Sequence, residues 1–458
     1  MGQRQVRRMS RRGNILFLAH RVPFPPDKGD KIRTYHQLRR LASNHHVYCA
    51  CFVDRPEDRL HAAALHEWCS EVCAIDWSRS RAMWRAAAAM LRGGTLTTAA
   101  YDCPAMRRQI DAWNATIEFD AVVAFSACMA PYAEQARARR RVLDLCDADS
   151  RKWLDYAERG HGLRSRIYGI EGRRLEAYER KCVARFDATI VITDRERALL
   201  DPDGRFDRLH VIPNGVDLPA IDVPSAAGCD PVITFVGAMD YPPNVSGILW
   251  FARHVWPGVQ KAVPGARLMI VGRNPAREVR GLARLPGVCV TGEVPSVWPY
   301  LLRSRVAIAP LHIARGLANK ALEAMASRRP LVATTGVAQS LGAEPDRHML
   351  TADDATSFAR QVIRLCRSDP LCNRFAEAGY RHVAMNYCWA EAMDRYAAVV
   401  MGRQGLGPTV TRMRSKQIVR STSEEIENIT KCLLPSDRGV RQEMPKPTHD
   451  FRYRYSPT

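Results

Sequence analysis

An amide, a cation and a carboxylate lie within five residues of one another in the second half of the chain. Asn319, Lys320 and Glu323 stand between two apolar runs of strand length, 306–311 and 330–334. This order predicts a strand, a loop and a helix that opens with Asn319 as its N-cap. Helix amides and a lysine together bind phosphate groups, and a carboxylate one turn on can accept further hydrogen bonds. The alternative is an ordinary strand–helix unit with a solvated Glu323.

Composition limits the class of protein. The chain has 458 residues, which favours two domains, and a net charge of +20, which indicates attraction to nucleic acid, anionic lipid or phosphorylated substrates. Its 14 cysteines form no Cys-x-x-Cys pair and no zinc-finger spacing, so we expect reduced thiols in a cytoplasmic protein. We expect neither a signal peptide nor a membrane-spanning helix, because no apolar run is long enough.

Apolar runs alternate with helical patterns along most of the chain, which predicts parallel α/β sheets. A long helical segment, 152–186, lies in the first of two sets of runs, and a connection at 219–231 separates the sets. The first set of predicted strands is 14–19, 46–53, 72–77, 121–125, 141–145, 188–193 and 210–213. The second is 232–237, 267–272, 288–292, 306–311 and 330–334.

Four segments in this order carry a family resemblance: 17–33, 211–217, 235–244 and 314–326. The chain resembles the family-4 type retaining glycosyltransferases with the GT-B architecture. More narrowly, three stretches look like the sugar transferases associated with exopolysaccharide and exosortase (PEP-CTERM) gene clusters. These stretches are Ala-Met-Asp-Tyr-Pro-Pro-Asn, Arg-Gly-Leu-Ala-Asn-Lys and the segment 144–153.

The resemblance implies an α/β fold of two Rossmann-like parallel-sheet domains that face each other across a cleft. We expect a basic N-terminal extension (1–13), an acceptor-side domain (14–222), a nucleotide-sugar donor domain (228–385) and a disordered tail (403–458). A helix at 389–402 is expected to cross back onto the first domain. The implied activity is transfer of a sugar, with retention, from a nucleotide-diphosphate sugar to a glycan or lipid-linked acceptor in exopolysaccharide biosynthesis.

The resemblance also implies roles for individual residues. Glu323 would hold the ribose hydroxyls, and Lys320 and Arg315 would stabilise the departing diphosphate. Gly29 would let the backbone approach the donor, and the base would lie at strand ends near Gly272. The expected substrate-binding residues are Gly29, Asp30, Arg33, Asp147, Asn214, Gly215, Gly272, Arg273, Val294, Gly316 and Asn319. No protein nucleophile, metal or other cofactor is expected, because the donor phosphate helps to deprotonate the acceptor in such enzymes.

The chain departs from the family pattern in its charges. Arg315 replaces the acidic residue that usually stands eight positions before Glu323. The usual Arg and Lys after the first strand of the second domain are also missing, since the chain has Ala238 there and Asn244 further on. Our hypothesis is that Arg315 and Lys320 replace the absent pair. The alternative is that Arg315 is a solvated loop residue.

Several acceptor-side residues have two interpretations. Asp147 and Asp149 form an Asp-x-Asp pair, which holds a divalent cation in other transferases, but its place in the first domain favours an acceptor-side or structural role. His20 ends the first strand and can face the acceptor together with Asp30 and Arg33, or be structural. The pair Asn214 and Gly215 either forms a turn or borders the cleft.

The segment 81–92 predicts a basic amphipathic helix, with arginines on one face and Met83, Trp84, Ala87, Met90 and Leu91 opposite. Such a helix can lie on an anionic membrane surface near a lipid-linked acceptor, with 137–141 adding charge. Packing of the apolar face onto the protein is the interpretation that we favour.

Two other functions fit parts of the sequence. A GT-B-like nucleotide-sugar epimerase would share the fold and need no acceptor. A basic nucleic-acid-binding protein would explain the charge, but no recognised binding module or stacked aromatic pattern occurs, so we expect no nucleic-acid partner.

Overall fold

The computed structural model describes residues 12–219, 223, 225–312 and 317–403. Most of the predicted N-terminal extension (1–13) and tail (403–458) lies outside the described residues, as do Arg315 and Gly316. Within the described part of the chain, no helix is both long enough and apolar enough to cross a membrane.

Seven parallel strands form the first sheet, in the order β3-β2-β1-β4-β5-β6-β7. They are β1 (Asn14–Ala19), β2 (His46–Val53), β3 (Glu71–Asp76), β4 (Ala121–Phe125), β5 (Arg141–Cys146), β6 (Ala188–Val191) and β7 (Leu209–Val211). Every residue of β4 and β6 is buried, as expected of a parallel sheet that helices cover on both faces. The strand order reverses between β1 and β4, which opens a crevice at their carboxyl ends.

Nine α-helices occur among the described residues of this half of the chain. They are α1 (Gly29–Ala42), α2 (Asp58–Ala64), α3 (Arg79–Leu91), α4 (Leu96–Ala100), α5 (Pro104–Thr116), α6 (Ala130–Gln135), α7 (Asp149–Arg159), α8 (Gly162–Arg185) and α9 (Asp194–Leu200). The prediction of one helical segment at 152–186 is therefore wrong in part. The chain turns back at Gly160, whose backbone is extended, and α7 and α8 pack side by side.

Six parallel strands form the second sheet, in the order β10-β9-β8-β11-β12-β13. They are β8 (Val232–Val236), β9 (Arg267–Val271), β10 (Val288–Gly292), β11 (Val306–Ala309), β12 (Leu331–Ala333) and β13 (Leu350–Thr351). The helices are α10 (Pro242–Trp250), α11 (Trp256–Ala262), α12 (Arg277–Gly281), α13 (Trp298–Leu302), α14 (Asn319–Ala326), α15 (Thr335–Ser340), α16 (Ala355–Arg367) and α17 (Asp369–Asn386). The predicted pair of Rossmann-like parallel sheets is confirmed.

The last described helix, α18 (Trp389–Val400), packs on the first sheet's helix α1. Its buried residues Trp389, Met393 and Tyr396 belong to the same core cluster as Leu38 and Leu41. The Trp389 ring also stacks on His36, with 4.1 Å between the ring centroids. The chain thus returns to the first sheet after building the second, while the exact domain limits stay a prediction.

Candidate functional site

The carboxyl ends of three neighbouring strands form the floor of the candidate donor site. Gly237, Gly272 and Gly292 follow or end β8, β9 and β10, and their backbones are in close contact. The amide of Gly237 donates to the carbonyl of Val271 at 3.0 Å, and the amide of Gly272 donates to that of Gly292 at 3.2 Å. Gly272 has a φ of +148°, and a Cβ there would collide with the carbonyl oxygen of Gly237. The close approach of two strand ends therefore requires glycine at 272.

Two further predicted residues border this floor. Arg273 is half-buried, and its carbonyl accepts a hydrogen bond from the amide of Met239 at 2.8 Å. Val294 is half-buried in the loop after β10. Both lie at the edge of the sheet where parallel α/β folds bind ligands, and their contact with a base stays a prediction.

Helix α14 begins at Asn319 as predicted, but the N-cap assignment is wrong. The N-cap residue is Ala318, and no side chain of a described residue caps the helix. Asn319 lies one residue later, inside the first turn. From there its side chain cannot accept hydrogen bonds from the backbone amides that an N-cap side chain reaches. Its Oδ1 atom is buried and finds no hydrogen-bond partner among the described residues. An unsatisfied buried acceptor at a strand–helix junction makes Asn319 a candidate ligand contact.

Lys320 and Glu323 are half-buried on one face of α14. The Lys320 ammonium donates to Oδ1 of Asn244 and lies 5.8 Å from the centre of the Phe235 ring. Burial lowers the pKa of Lys320 to about 8, which the negative charge of Glu323 opposes. Burial raises the pKa of Glu323 to about 7; Lys320 opposes this shift and Asp217 adds to it. Both groups thus change charge near neutral pH, as ligand-binding groups often do.

Arg315 and Gly316 were predicted to complete this site. Both lie outside the described residues. Their roles, including the replacement of the missing family cations by Arg315, stay predictions.

Asp30 stands at the start of α1, at the carboxyl end of the first sheet. Its Oδ2 atom lies 3.3 Å from Nε2 of His20 and 2.7 Å from Nη1 of Arg21. Burial alone would raise the pKa of Asp30, but the hydrogen bonds and charges of His20 and Arg21 lower it well below the usual range. The neighbouring Gly29 is exposed, and a Cβ there would meet no atom of the described residues within 4 Å. The backbone at this point is therefore open to a ligand.

Three residues that were predicted to bind substrate make close contacts within the protein. Arg33 is fully buried; its Nε and Nη2 atoms lie 3.0 and 2.8 Å from Oδ2 of Asp144, and its Nη1 atom donates to Oδ1 of Asn214 at 3.0 Å. Gly215 is buried against α18, and a Cβ there would lie 2.6 Å from Trp389. Arg33, Asn214 and Gly215 thus belong to the scaffold that holds the loop after β7, and a ligand contact by any of them stays a prediction.

Asp147 and Asp149 follow β5 at the same end of the first sheet. The preceding Cys146 has a φ of +62°, and Ser126 after β4 has a φ of +74°. Such strained backbones persist where the surrounding structure fixes them, often next to a functional site. Desolvation by the surrounding protein raises the pKa of Asp147, and the charges of Glu196 and Asp149 add to this shift. Because Asp147 is exposed, solvent water reduces the shift.

The described residues contain no group of three or more His, Cys, Asp and Glu side chains that could hold a metal ion. That no cofactor is required remains a prediction.

The exposed face of α3 corrects the packing interpretation that the sequence favoured. Met83, Trp84 and Leu91 are 65%, 80% and 92% exposed, whereas the inward side chain of Ala82 is buried. Arg85 is half-buried and donates to the carbonyl of Ala100 at 3.1 Å. The helix therefore packs on the protein through Ala82, the half-buried Ala86 and Ala89, and Arg85. Most of its apolar face is turned to solvent, although Met90 is half-buried.

A cavity of about 1580 Å³ is lined mainly by residues outside the candidate donor site, although Leu317, two residues before Asn319, also lines it. It runs along the exposed edge of β7, between α9 and the helices α15 and α17. Neither Lys320 nor Glu323 lines it. The candidate donor site is thus defined by its side chains and strand ends rather than by the size of a cavity.

Comparison with known proteins identifies the architecture as GT-B. Sucrose-phosphate synthase from Thermosynechococcus elongatus matches with 16% identity and a TM-score of 0.59, over 85% of this chain and 98% of that one. HepE from Anabaena, in complex with UDP and glucose, matches with 14% identity and a TM-score of 0.59, over 85% and 100%. WaaG, a glycosyltransferase involved in lipopolysaccharide biosynthesis, matches with 14% identity and a TM-score of 0.57, over 85% and 100%.

A family model supplies a second and more specific match. Residues 230–368, which contain the second sheet and α14, match the model described as Glycosyl transferases group 1. No curated protein matches the chain.

Proposed function

We propose that this protein is a glycosyltransferase that transfers a sugar, with retention, from a nucleoside-diphosphate sugar to a glycan or lipid-linked acceptor. The observation that carries the proposal is the pair Lys320 and Glu323, half-buried on one face of α14. This pair lies inside the segment 230–368 that matches the glycosyltransferase family model. A role in cytoplasmic exopolysaccharide biosynthesis is part of the proposal and rests on the motif resemblance.

Charge development explains the two side chains. Cleavage of the bond between the sugar and the diphosphate leaves negative charge on the departing phosphate oxygen, which a positioned cation stabilises. The ammonium of Lys320 is placed to supply that charge, and the Glu323 carboxylate can accept hydrogen bonds from two ribose hydroxyls at once. UDP is the first nucleotide to test, because the solved HepE structure contains UDP.

Retention is proposed to occur by substitution on one face of the sugar. The bond between the anomeric carbon and the phosphate oxygen breaks as the acceptor oxygen attacks from the same side, and the acceptor proton passes to the departing phosphate. No protein nucleophile and no metal ion take part in this scheme. The anomeric configuration of the product, measured by NMR, tests it: an inverted product would exclude this route.

A donor panel tests the activity itself. UDP-, GDP- and ADP-sugars are incubated with and without candidate acceptors, and nucleotide release and new glycoside are measured. We expect both products only when an acceptor is present. Conversion of the donor sugar without an acceptor would instead identify an epimerase. The variant Lys320→Ala should lower turnover by about 10- to 100-fold, since a charged hydrogen bond contributes about 1.5–3 kcal/mol; unchanged turnover would refute the role of Lys320.

The acceptor-side sheet is also proposed to bind an anionic membrane surface through α3. Besides its exposed Met83, Trp84 and Leu91, the helix and its ends carry exposed arginines at 79, 81 and 92. No acidic residue occurs anywhere in 77–101. Apolar side chains beside clustered arginines are the features of an interfacial helix, and each arginine near an anionic surface contributes about 1 kcal/mol.

Sedimentation with vesicles tests this surface. The wild-type protein should bind phosphatidylglycerol vesicles at low salt and not phosphatidylcholine vesicles. Trp84→Ser should weaken binding by about tenfold, because a buried aromatic side chain is worth about 1.5–3 kcal/mol. Met385→Ser provides the control, since Met385 is 75% exposed on the second sheet's helix α17. Equal binding by both variants, or none by the wild type, would remove the membrane surface from the proposal.

A further inference from the structure

The ammonium group of Lys320 is held by a neutral side chain. Its Nζ atom donates to Oδ1 of Asn244, which lies in the first turn of α10 and is 2% exposed. The face of the Phe235 ring lies 5.8 Å away and adds a weak attraction for the cation. Neither contact removes charge from the ammonium.

The amide of Asn244 is itself fixed in orientation. Its Nδ2 atom donates to the carbonyl oxygen of Ala238 at 2.8 Å, in the loop after β8. Because a carbonyl can only accept, this bond directs the oxygen of the Asn244 amide towards Lys320. The position of Asn244 also depends on Gly237, where a Cβ would lie 2.7 Å from Nδ2. The position of the Lys320 ammonium is therefore fixed by the Asn244 amide, which is itself held by Ala238 and Gly237 at the end of β8.

A neutral partner has a chemical consequence for the bound ligand. An ammonium has three donors, of which Asn244 takes one, so two remain for phosphate oxygens. A carboxylate at 244 would neutralise the cation and compete with phosphate for the same hydrogen bonds. A neutral amide fixes the geometry and adds no negative charge to the one that Glu323 already places near the ammonium.

We propose that Asn244 is a positioning residue for the donor diphosphate, which orients the Lys320 ammonium and keeps its charge available. This inference rests on the proposed donor site at α14. It gives a function to the sequence change in which Ala238 and Asn244 replace the Arg and Lys of the resembled family. In this site α14 supplies the cation, Lys320, and α10 supplies the side chain that orients it, Asn244.

Calorimetric titration over pH 6–9.5 tests the inference, with UDP as the anionic probe and uridine as the probe without phosphate. Asn244→Asp should weaken UDP binding by about tenfold or more and leave uridine binding unchanged, because the new carboxylate neutralises Lys320. It should also move the alkaline decline in UDP affinity to higher pH, since a neighbouring negative charge raises the pKa of an ammonium. If Asn244 had only a structural role, the substitution would weaken UDP and uridine binding alike and would leave the pH of the alkaline decline in UDP affinity unchanged.

Two further variants keep the test decisive. Asn244→Ala removes the acceptor without adding charge, so it should weaken UDP binding and move the decline to lower pH. Asn274→Asp adds a negative charge at an exposed asparagine that bonds Asp240, and it should change UDP affinity by less than either Asn244 variant. The inference would be overturned if both Asn244 variants bound UDP with wild-type affinity and lost that affinity at the same alkaline pH as the wild type. If the wild type itself binds none of UDP, ADP and GDP, the proposed function fails instead.

Discussion

Removal of the Asp144 carboxylate is expected to destabilise the first sheet strongly. Asp144 lies in β5 and Arg33 in α1, and both are fully buried. The carboxylate accepts from Nε of Arg33 at 3.0 Å and from the amide of Cys146 at 2.9 Å, and Gln37 also donates to it. The substitution Asp144→Ala leaves the guanidinium in the core without its counter-ion.

The magnitude follows from the burial of the pair. Burial alone would lower the pKa of Arg33, but the charge of Asp144 raises it, so the guanidinium is charged in the folded protein. Loss of one partner of a buried ion pair costs about 3–5 kcal/mol, because the remaining charge is uncompensated. That is a large part of a typical total stability of about 5–15 kcal/mol.

Urea unfolding followed by tryptophan fluorescence measures this loss. The matched control is Asp76→Ala, which breaks the pair of Asp76 with Arg59, whose side chains are both 63% exposed. The control should lose less than about 1 kcal/mol, as exposed pairs do. The double variant Arg33→Met with Asp144→Leu should recover much of the loss. Equal midpoints for Asp144→Ala and Asp76→Ala would refute the reasoning.

Three further predictions concern the donor site. Gly272→Ala should destabilise the second sheet by at least about 1–3 kcal/mol, seen as a lower melting temperature, because alanine is strained at φ +148° and collides with Gly237; an unchanged melting temperature would contradict this. UDP affinity should be highest between about pH 7 and pH 8: Glu323, with its pKa of about 7, loses its charge below this range, and Lys320, with its pKa of about 8, loses its charge above it. A pH-independent affinity in calorimetry would oppose that assignment. Gly29→Leu should leave the melting temperature unchanged, since a Cβ there meets no atom within 4 Å in the part of the chain that the structure describes. The same variant should lower donor turnover by about tenfold, and full turnover would place the donor elsewhere.

Much of the fold was predictable because parallel strands are buried on both faces. Their continuous apolar runs located every described strand except β13, which has only two residues, Leu350 and Thr351. Seven of the twelve predicted strands run one or two residues past the observed carboxyl end, since in several of them the apolar character continues into the following loop. The break between α7 and α8 at Gly160 was missed, because the residues on both sides continue a helical pattern.

The structure shows where the predicted site residues lie, whereas their contacts with a ligand stay predictions. Lys320 and Glu323 could be placed because local helix spacing puts them on one face. The burial of Arg33 depends on contacts with Asp144 and Asn214, which are distant in sequence. The sequence did contain a signal that Arg33 is buried. Arg33 and Gln37 are one helical turn apart and lie on the same helix face as the apolar Leu41. Likewise, only the packing of α3 could show that Trp84 faces solvent.

A structure of the protein with bound UDP tests the central claim most directly. The account predicts that the carboxylate of Glu323 lies within hydrogen-bond distance of the ribose hydroxyls and that Nζ of Lys320, still held by Asn244, contacts the diphosphate. A nucleotide ordered elsewhere, for example in the cavity along β7, with Glu323 and Lys320 free of it, would contradict the account.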